Sequence, residues 1–306
     1  MSARYAVLGA GLMGVGIAVH FARYGHEIWL YDTAPQRIDE LPAVAGAILD
    51  ELIEAGQFAE EDKDSALARL HGTLILADLA GCELIIEAVP ERLELKHAMY
   101  RELEAILAPD AVIASNTSGL PPDQLAQHLI RPERLLIAHF WHPPHFIPLV
   151  ELVPGSATDP RYLERVQDLL CAMNLEAVRL NRAAPGFIGN RLQFALLREA
   201  LNIVNSGIAE PEVVDLVMRA SLGRRYAMVG PLEAADMTGL NTVSDICRHL
   251  LPELASGTEM MALVEQRVQR GDVGQRSGRG FYVWDEERRE RIRERRAHQM
   301  RYALKP

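Results

Sequence analysis

Cysteine is scarce in this chain of 306 residues, and positive charge is outnumbered by negative. The three cysteines, Cys82, Cys171 and Cys247, are far apart and form no metal-binding or redox motif. Reduced, buried thiols in a cytoplasmic protein are expected. Lys and Arg total 32 against 42 Asp and Glu, a formal net charge of −10. That balance argues against a nucleic-acid partner, whose phosphates require a basic surface. No apolar run is long enough to span a bilayer, so no membrane partner is expected. The first strand-like run starts within five residues of Met1, so neither a signal nor a transit peptide is expected. Internal repeats and low-complexity tracts are missing too. What remains is ordinary globular composition, 49% apolar and 24% charged, with enough length for one large domain or two moderate ones.

The most informative stretch is Tyr5-Ala-Val-Leu-Gly-Ala-Gly-Leu-Met-Gly-Val-Gly-Ile-Ala18. An apolar run, Tyr5 to Leu8, reads as a buried strand. It breaks at Gly9-Ala10-Gly11 and resumes at helical spacing through Gly14, Ile17, Ala18 and Phe21. This is G-x-G-x-x-G between a strand and a helix. Gly9 makes the tight turn, Gly11 lets the backbone approach a pyrophosphate, and Gly14 lets the helix pack on the strand. The helix N-terminus then offers free N–H groups to the phosphates. A second strand, Glu27-Ile-Trp-Leu-Tyr31, ends in Asp32, 18 residues after Gly14, where a ribose-binding carboxylate belongs. A carboxylate there accepts from the ribose hydroxyls and repels a 2′-phosphate, which favours NAD over NADP.

Further along, a helical stretch from Gln36 to Leu70, broken near Gly56, carries nine acids between Asp39 and Asp64 against one base, Lys63. Strand-like runs follow at Thr73–Leu76, Leu84–Val89, Ala111–Ala114, Leu135–Ala138, Ile147–Val153 and Glu176–Leu180. Helical runs separate them at Leu93–Leu107 and Pro160–Met173. Alternating β and α elements with ligand-type residues past the strand ends predict an α/β, Rossmann-type doubly wound sheet. Beyond Pro185-Gly186 the sequence turns helical. The expected organisation is a NAD-binding Rossmann domain over 1–184 and an all-α C-terminal domain over 185–306. The last run, Asp285 to Arg301, alternates Glu and Arg at helical spacing and reads as a solvated, salt-bridged helix.

A nicotinamide cofactor implies hydride transfer, and oxidising an alcohol needs a base for its hydroxyl proton. His139, immediately after a strand, is the natural candidate, since imidazole titrates near neutrality. Glu151, 12 residues on, meets it if the two strands pair as a hairpin. It would then fix the tautomer and stabilise the imidazolium. His142 and His145 compete for the role. The spacing H-x-x-H-x-x-H also resembles a metal pattern, but the intervening prolines and the lack of an obvious further ligand argue against one, and no metal is expected. Ser118 and Asn190 are neutral groups suited to hold the substrate oxygen.

These residues carry a resemblance. The chain is similar to the L-3-hydroxyacyl-CoA dehydrogenase family along nearly its whole length. The matching segments are Gly9-Ala-Gly-Leu-Met-Gly14, Glu87-Ala-Val-Pro-Glu91, Ala114-Ser-Asn-Thr-Ser118, His139-Phe with Pro143 and Leu149-Val-Glu151, Pro185-Gly-Phe-Ile-Gly-Asn-Arg191, Gly230-Pro231, and Gly278-Arg-Gly-Phe-Tyr282. The resemblance implies that His139 is the general base, Glu151 its partner, and Ser118 and Asn190 contacts to the substrate oxygen. It implies a cofactor cradle of Gly9, Gly11, Leu12, Met13, Gly14 and Asp32, with further NAD contacts from Glu91, Lys96 and Asn116. It also implies a homodimer built through the helical domain and reversible oxidation of an L-3-hydroxy group to a 3-keto group.

The likeness is uneven. The family's usual H-F-F-N-P is His139-Phe-Trp-His142-Pro143 here. The excursion after the second strand, basic in members that bind coenzyme A, is strongly acidic, which opposes a polyanionic CoA moiety. Pro143–Pro154 and Arg225–Glu233 look like members acting on free hydroxy acids, such as L-gulonate 3-dehydrogenase and carnitine dehydrogenase. A pyridine-carboxylate dehydrogenase of vitamin B6 breakdown shares this style. Arg224 and Arg225 supply guanidinium groups able to grip a free carboxylate, and His142 joins them as a candidate substrate contact. The expected substrate is therefore a small free hydroxycarboxylate. The alternatives are a short-chain L-3-hydroxyacyl-CoA such as 3-hydroxybutyryl-CoA, or a non-catalytic NAD(H)-binding structural or sensor protein.

Overall fold

The computed structural model describes residues 4–302. Its first half is one eight-stranded sheet in the order β3-β2-β1-β4-β5-β6-β7-β8. The strands are β1 (Arg4–Leu8), β2 (Glu27–Tyr31), β3 (Leu70–Thr73), β4 (Leu84–Glu87), β5 (Val112–Ser115), β6 (Leu135–Phe140), β7 (Leu149–Pro154) and β8 (Glu176–Arg179). The first six run parallel, in the dinucleotide-binding strand order. β7 turns back antiparallel to β6, and β8 runs parallel to β7. Strands β4 to β6 are buried at every position, as a sheet covered on both faces requires.

The helices are α1 (Leu12–Arg23), α2 (Pro35–Glu54), α3 (Lys63–Ala68), α4 (Leu93–Ile106), α5 (Pro122–Ala126) and α6 (Pro160–Ala172). They are followed by α7 (Gly189–Asn205), α8 (Pro211–Ala220), α9 (Leu222–Arg225), α10 (Pro231–Thr238), α11 (Leu240–Leu250), α12 (Ala262–Gln269) and α13 (Glu286–Tyr302). Alternate side chains of each strand serve two apolar layers. One joins Val7, Ile28, Ile86 and Val150 to α1, α2 and α6. The other joins Leu8, Ile85, Ile113 and Ile137 to Tyr100 and Leu103 of α4. The helical stretch expected over 36–70 breaks near Gly56 as anticipated: α2 ends at Glu54, Gly56 takes φ +68°, and α3 starts at Lys63. The strand expected at Thr73–Leu76 lies earlier, at Leu70–Thr73, and Leu76–Leu79 coils into a 3₁₀ turn. Register explains this: Ile28 to Tyr31 pair with Leu70 to Thr73, where β2 ends.

The chain divides into two compact units. One extends to Ile188 and takes the chain back from Glu294; the other is Gly189–Arg293. The second unit is entirely helical apart from isolated bridges at Arg279. Among the described residues its buried side chains are Leu201, Ala234 and Met260, while Leu192, Phe194, Leu216, Leu232 and Leu240 stay exposed.

Candidate active site

The first functional feature is backbone. Gly9 sits at φ +95°, and a Cβ there would lie 2.8 Å from the Ala88 carbonyl oxygen. A Cβ on Gly14 would fall 1.8 Å from the Gly9 carbonyl oxygen, so that position admits only glycine. α1 starts at Leu12 with Gly11 as its N-cap and no side-chain cap, which leaves its first N–H groups open to a ligand. Leu12 is exposed at this opening, and Met13 packs against the core from it.

Asp32 stands past the end of β2. Its Oδ2 accepts the Ala10 N–H at 2.9 Å and its Oδ1 the Ala34 N–H at 2.9 Å. Arg37 Nη1 is 3.6 Å from Oδ2. A carboxylate offers about four acceptor directions, so two remain for other donors. A cleft of about 280 Å³ opens here, lined by Gly9, Asp32, Ala34, Arg37 and Val89 among others. Bare backbone, open helix donors and an acid at the ribose position fit a dinucleotide.

Beside this cradle β4 ends in Glu87, which is wholly buried. An isolated carboxylate would be costly there. Glu87 instead accepts from Lys96 Nζ at 2.8 and 2.9 Å, Tyr100 Oη at 2.6 Å, Ser115 Oγ at 2.6 Å and the Val89 N–H at 2.9 Å. Burial and the Glu87 charge push the Tyr100 phenol well above its ordinary range. Lys96, 1% exposed, also reaches Glu91 Oε2 at 3.1 Å. Burial opposes ionisation of Glu91, but the Thr117 hydroxyl and the Lys96 ammonium outweigh it and hold the carboxyl below its ordinary range. Asn116 Oδ1 accepts the Phe140 N–H at 2.8 Å and ties the end of β5 to the end of β6.

Two strands over from β4, His139 and Glu151 are register partners across the antiparallel β6–β7 pair. His139 Nδ1 is 2.9 Å from Glu151 Oε2. A carboxylate only accepts, so Nδ1 carries the hydrogen and Nε2 presents its lone pair. Nε2 lies 3.2 Å from Ser118 Oγ. Glu151 is held in turn: Trp141 Nε1–H donates to Oε2 at 3.3 Å and the Ile188 N–H to Oε1 at 2.8 Å. The rings of Phe187 and Trp141 lie 5.3 and 5.6 Å from the imidazole. An imidazole with a free lone pair, a carboxylate that orients it and a hydroxyl thus stand in one line, walled by aromatic rings, an arrangement chemically able to take up a proton.

The remaining candidates are dispersed. His142 is exposed and His145 is buried in a different pocket, so the three spaced histidines do not converge. Asn190, the second residue of α7, and Arg224 and Arg225, on the short α9, belong to the second unit. Sequence reasoning did not single out Glu87, Trp141 or the Ile188 amide. A charge closing an otherwise apolar strand, Leu84-Ile-Ile-Glu87, was the available signal for the first. A backbone donor leaves none.

Comparison with known proteins places these features in context. The model of the 3-hydroxyacyl-CoA dehydrogenase NAD-binding domain matches residues 4–183, and that of the corresponding C-terminal domain matches residues 186–284. The chain is 31% identical to 5-formyl-3-hydroxy-2-methylpyridine 4-carboxylate 5-dehydrogenase of Mesorhizobium japonicum, over 96% of this chain and 95% of that one. A crystal structure of that type of dehydrogenase, described as an NAD+-dependent dismutase, superposes with TM-score 0.89 at 30% identity, covering 98% of this chain and 96% of the other. The (S)-3-hydroxybutyryl-CoA dehydrogenase of Ralstonia eutropha superposes with TM-score 0.77 at 31% identity, covering 94% and 100%.

Proposed function

Since the chain belongs to the 3-hydroxyacyl-CoA dehydrogenase family, and is by that membership an NAD-dependent oxidoreductase, we propose that it oxidises a hydroxyl-bearing, small free carboxylate. The observation that carries the chemistry is the unprotonated Nε2 of His139, aligned on Ser118 and backed by buried Glu151. His139 Nε2 takes the hydroxyl proton. Glu151 steadies the imidazolium that results, in a buried setting where the attraction is strong. Ser118 donates to the oxygen as it becomes a carbonyl, and His142 recognises the carboxylate. NAD, when bound, accepts the hydride. Gly9, Gly11, Leu12, Met13 and Gly14 hold its pyrophosphate, Asp32 its adenosine ribose, and Glu91 and Asn116 make further contacts, while the buried Lys96 acts on the cofactor only through Glu91, which it holds in place.

Two observations support a free acid over a thioester. The superposition on the pyridine-carboxylate enzyme, 0.89 over 98% of the chain, exceeds the 0.77 over 94% for the hydroxybutyryl-CoA enzyme. α2 and the turn after it are also strongly acidic, which repels a polyphosphate. A second reading, a short-chain 3-hydroxyacyl-CoA dehydrogenase, draws on the 35% identity to the 3-hydroxybutyryl-CoA dehydrogenase of Bradyrhizobium diazoefficiens. A panel settles the choice. L-gulonate, carnitine, 3-hydroxybutyrate and pyridine carboxylates are offered with NAD+, beside acetoacetyl-CoA with NADH, and absorbance of NADH is followed. Turnover of a free acid is expected; turnover of the thioester alone would overturn this assignment.

The same proposal includes a homodimer through the helical unit. Leu192, Phe194, Leu216, Leu232 and Leu240 leave apolar surface that a separate helical unit of this size does not bury alone. The three cysteines are free, but only Cys82 is buried as expected, Cys171 being exposed and Cys247 half-buried; free thiols suit a cytoplasmic setting, and among the described residues no helix is long and apolar enough to cross a membrane.

A further inference from the structure

The first unit holds a second cavity, of about 560 Å³, whose lining includes none of the residues assigned to base or cofactor. α1 contributes His20 and Arg23, its C-cap residue Tyr24 follows, the turn after α2 contributes Gln57, and the β6–β7 connection contributes His145. His20 Nε2 lies 3.0 Å from the Met173 carbonyl oxygen, which only accepts, so Nε2 carries the hydrogen. His20 Nδ1 then accepts from Arg23 Nη2 at 3.0 Å. This bond aims the guanidinium and spends one of its donors, yet the buried Arg23 Nε makes no hydrogen bond. His145 is 5% exposed, and neither of its ring nitrogens makes a hydrogen bond. Its Nδ1 faces the Cα of Gly16 on α1, and its Nε2 stops 3.6 Å from Glu51 Oε2. Buried donors without acceptors are costly, and a bound acceptor relieves that cost.

The charges around these donors favour an anion. Arg23 is permanently cationic, and Arg296, on the part of α13 that returns to this unit, adds a second positive charge. The acids in reach are Glu51, half-exposed, and Glu176, on the rim. Burial first, and after it Arg23, Arg296 and His142, press the His145 imidazole down to about 4, so the ring is neutral and offers a donor at neutral pH. We propose that this cavity binds a small oxyanion, a carboxylate or a phosphate ester, through Arg23 Nε and the His145 imidazole. The site is separate from the catalytic line, and it connects to it. His145 and Trp141 lie on one connection, and Trp141 donates to Glu151.

The test uses the full chain saturated with NADH, so that the pyrophosphate cradle is filled. Inorganic phosphate and citrate are titrated separately by calorimetry, which distinguishes the phosphate from the carboxylate source. Saturable binding of at least one is expected, weakened tenfold or more by Arg23→Gln and by His145→Phe. Melting curves report whether each variant folds; if one does not, the other gives the same reading. His139→Ala should bind the anion as the unmodified chain does, so that loss of turnover and loss of this site are told apart. No saturable binding of either anion, or binding indifferent to the variants that fold, would overturn the proposal.

Discussion

His139 and Glu151 occupy paired positions on antiparallel strands, with Nδ1 2.9 Å from Oε2 and the carboxylate 99% shielded from solvent at its side chain. The strand pair sets the distance, so the orientation of the imidazole is built into the sheet rather than into a loop. Glu151→Gln keeps the shape but offers an amide. The amide can donate to Nδ1, which shifts the hydrogen to Nε2 and removes the acceptor that the reaction needs. The expected result is kcat lower by about 10²–10⁴-fold with KM changed only a few-fold. Steady-state kinetics on the substrate found by the panel, with NADH binding measured alongside, checks it.

Two glycines separate a cofactor effect from a helix effect. Gly14→Ala puts a methyl group 1.8 Å from the Gly9 carbonyl oxygen, so the turn must open. NADH affinity should fall by about 100-fold or the protein should fail to fold, since nothing flexible can yield there. Gly46, inside α2, has nothing within 4 Å of its Cβ position. Gly46→Ala should therefore stabilise by about 0.5–1 kcal/mol, through backbone entropy alone. Fluorescence titration of NADH and urea denaturation report the two outcomes.

The contrast shows what a sequence makes legible. G-x-G-x-x-G with Asp32 could be read directly because steric exclusion leaves glycine no substitute and the spacing follows from one βαβ unit. The hairpin geometry of His139 and Glu151 could be anticipated because two apolar runs flank a short, proline-rich connection. Glu87 was not, because its role depends on four groups from β5, α4 and the chain after β4 that only the fold assembles. The Ile188 amide has no side-chain signature at all. α13 read as a solvated helix, yet Arg301 donates to the Glu54 carbonyl at 2.8 Å, a long-range contact that local charge alternation does not reveal.

The Glu87–Lys96 pair makes an asymmetric prediction. Lys96→Met leaves Glu87 wholly buried without its cation and should cost about 3–5 kcal/mol, since an uncompensated buried charge is the expensive outcome. Glu87→Gln keeps acceptor and shape and leaves Lys96 on Glu91, so the loss should be smaller. Urea denaturation of both variants without cofactor gives the order. A larger loss for Glu87→Gln would mean that Glu91 does not compensate Lys96.

Acid sensitivity follows from His145. Its folded value, about 4, lies below the ordinary 6.5, so above pH 6.5 the ring is neutral in both folded and unfolded chains and contributes no pH dependence. Between pH 6.5 and 4 the unfolded chain binds a proton that the folded chain refuses, so stability falls as pH falls, by up to about 3 kcal/mol across that window. His20, whose value is also lowered by burial and Arg23, acts in the same direction. His145→Gln removes one such group, so its denaturation midpoint should decline less steeply from pH 6.5 to pH 4 than that of the unmodified chain. Urea melts at half-unit pH steps measure both slopes. Parallel slopes would mean that His145 is protonated in the folded protein and that its buried surroundings do not exclude the charge.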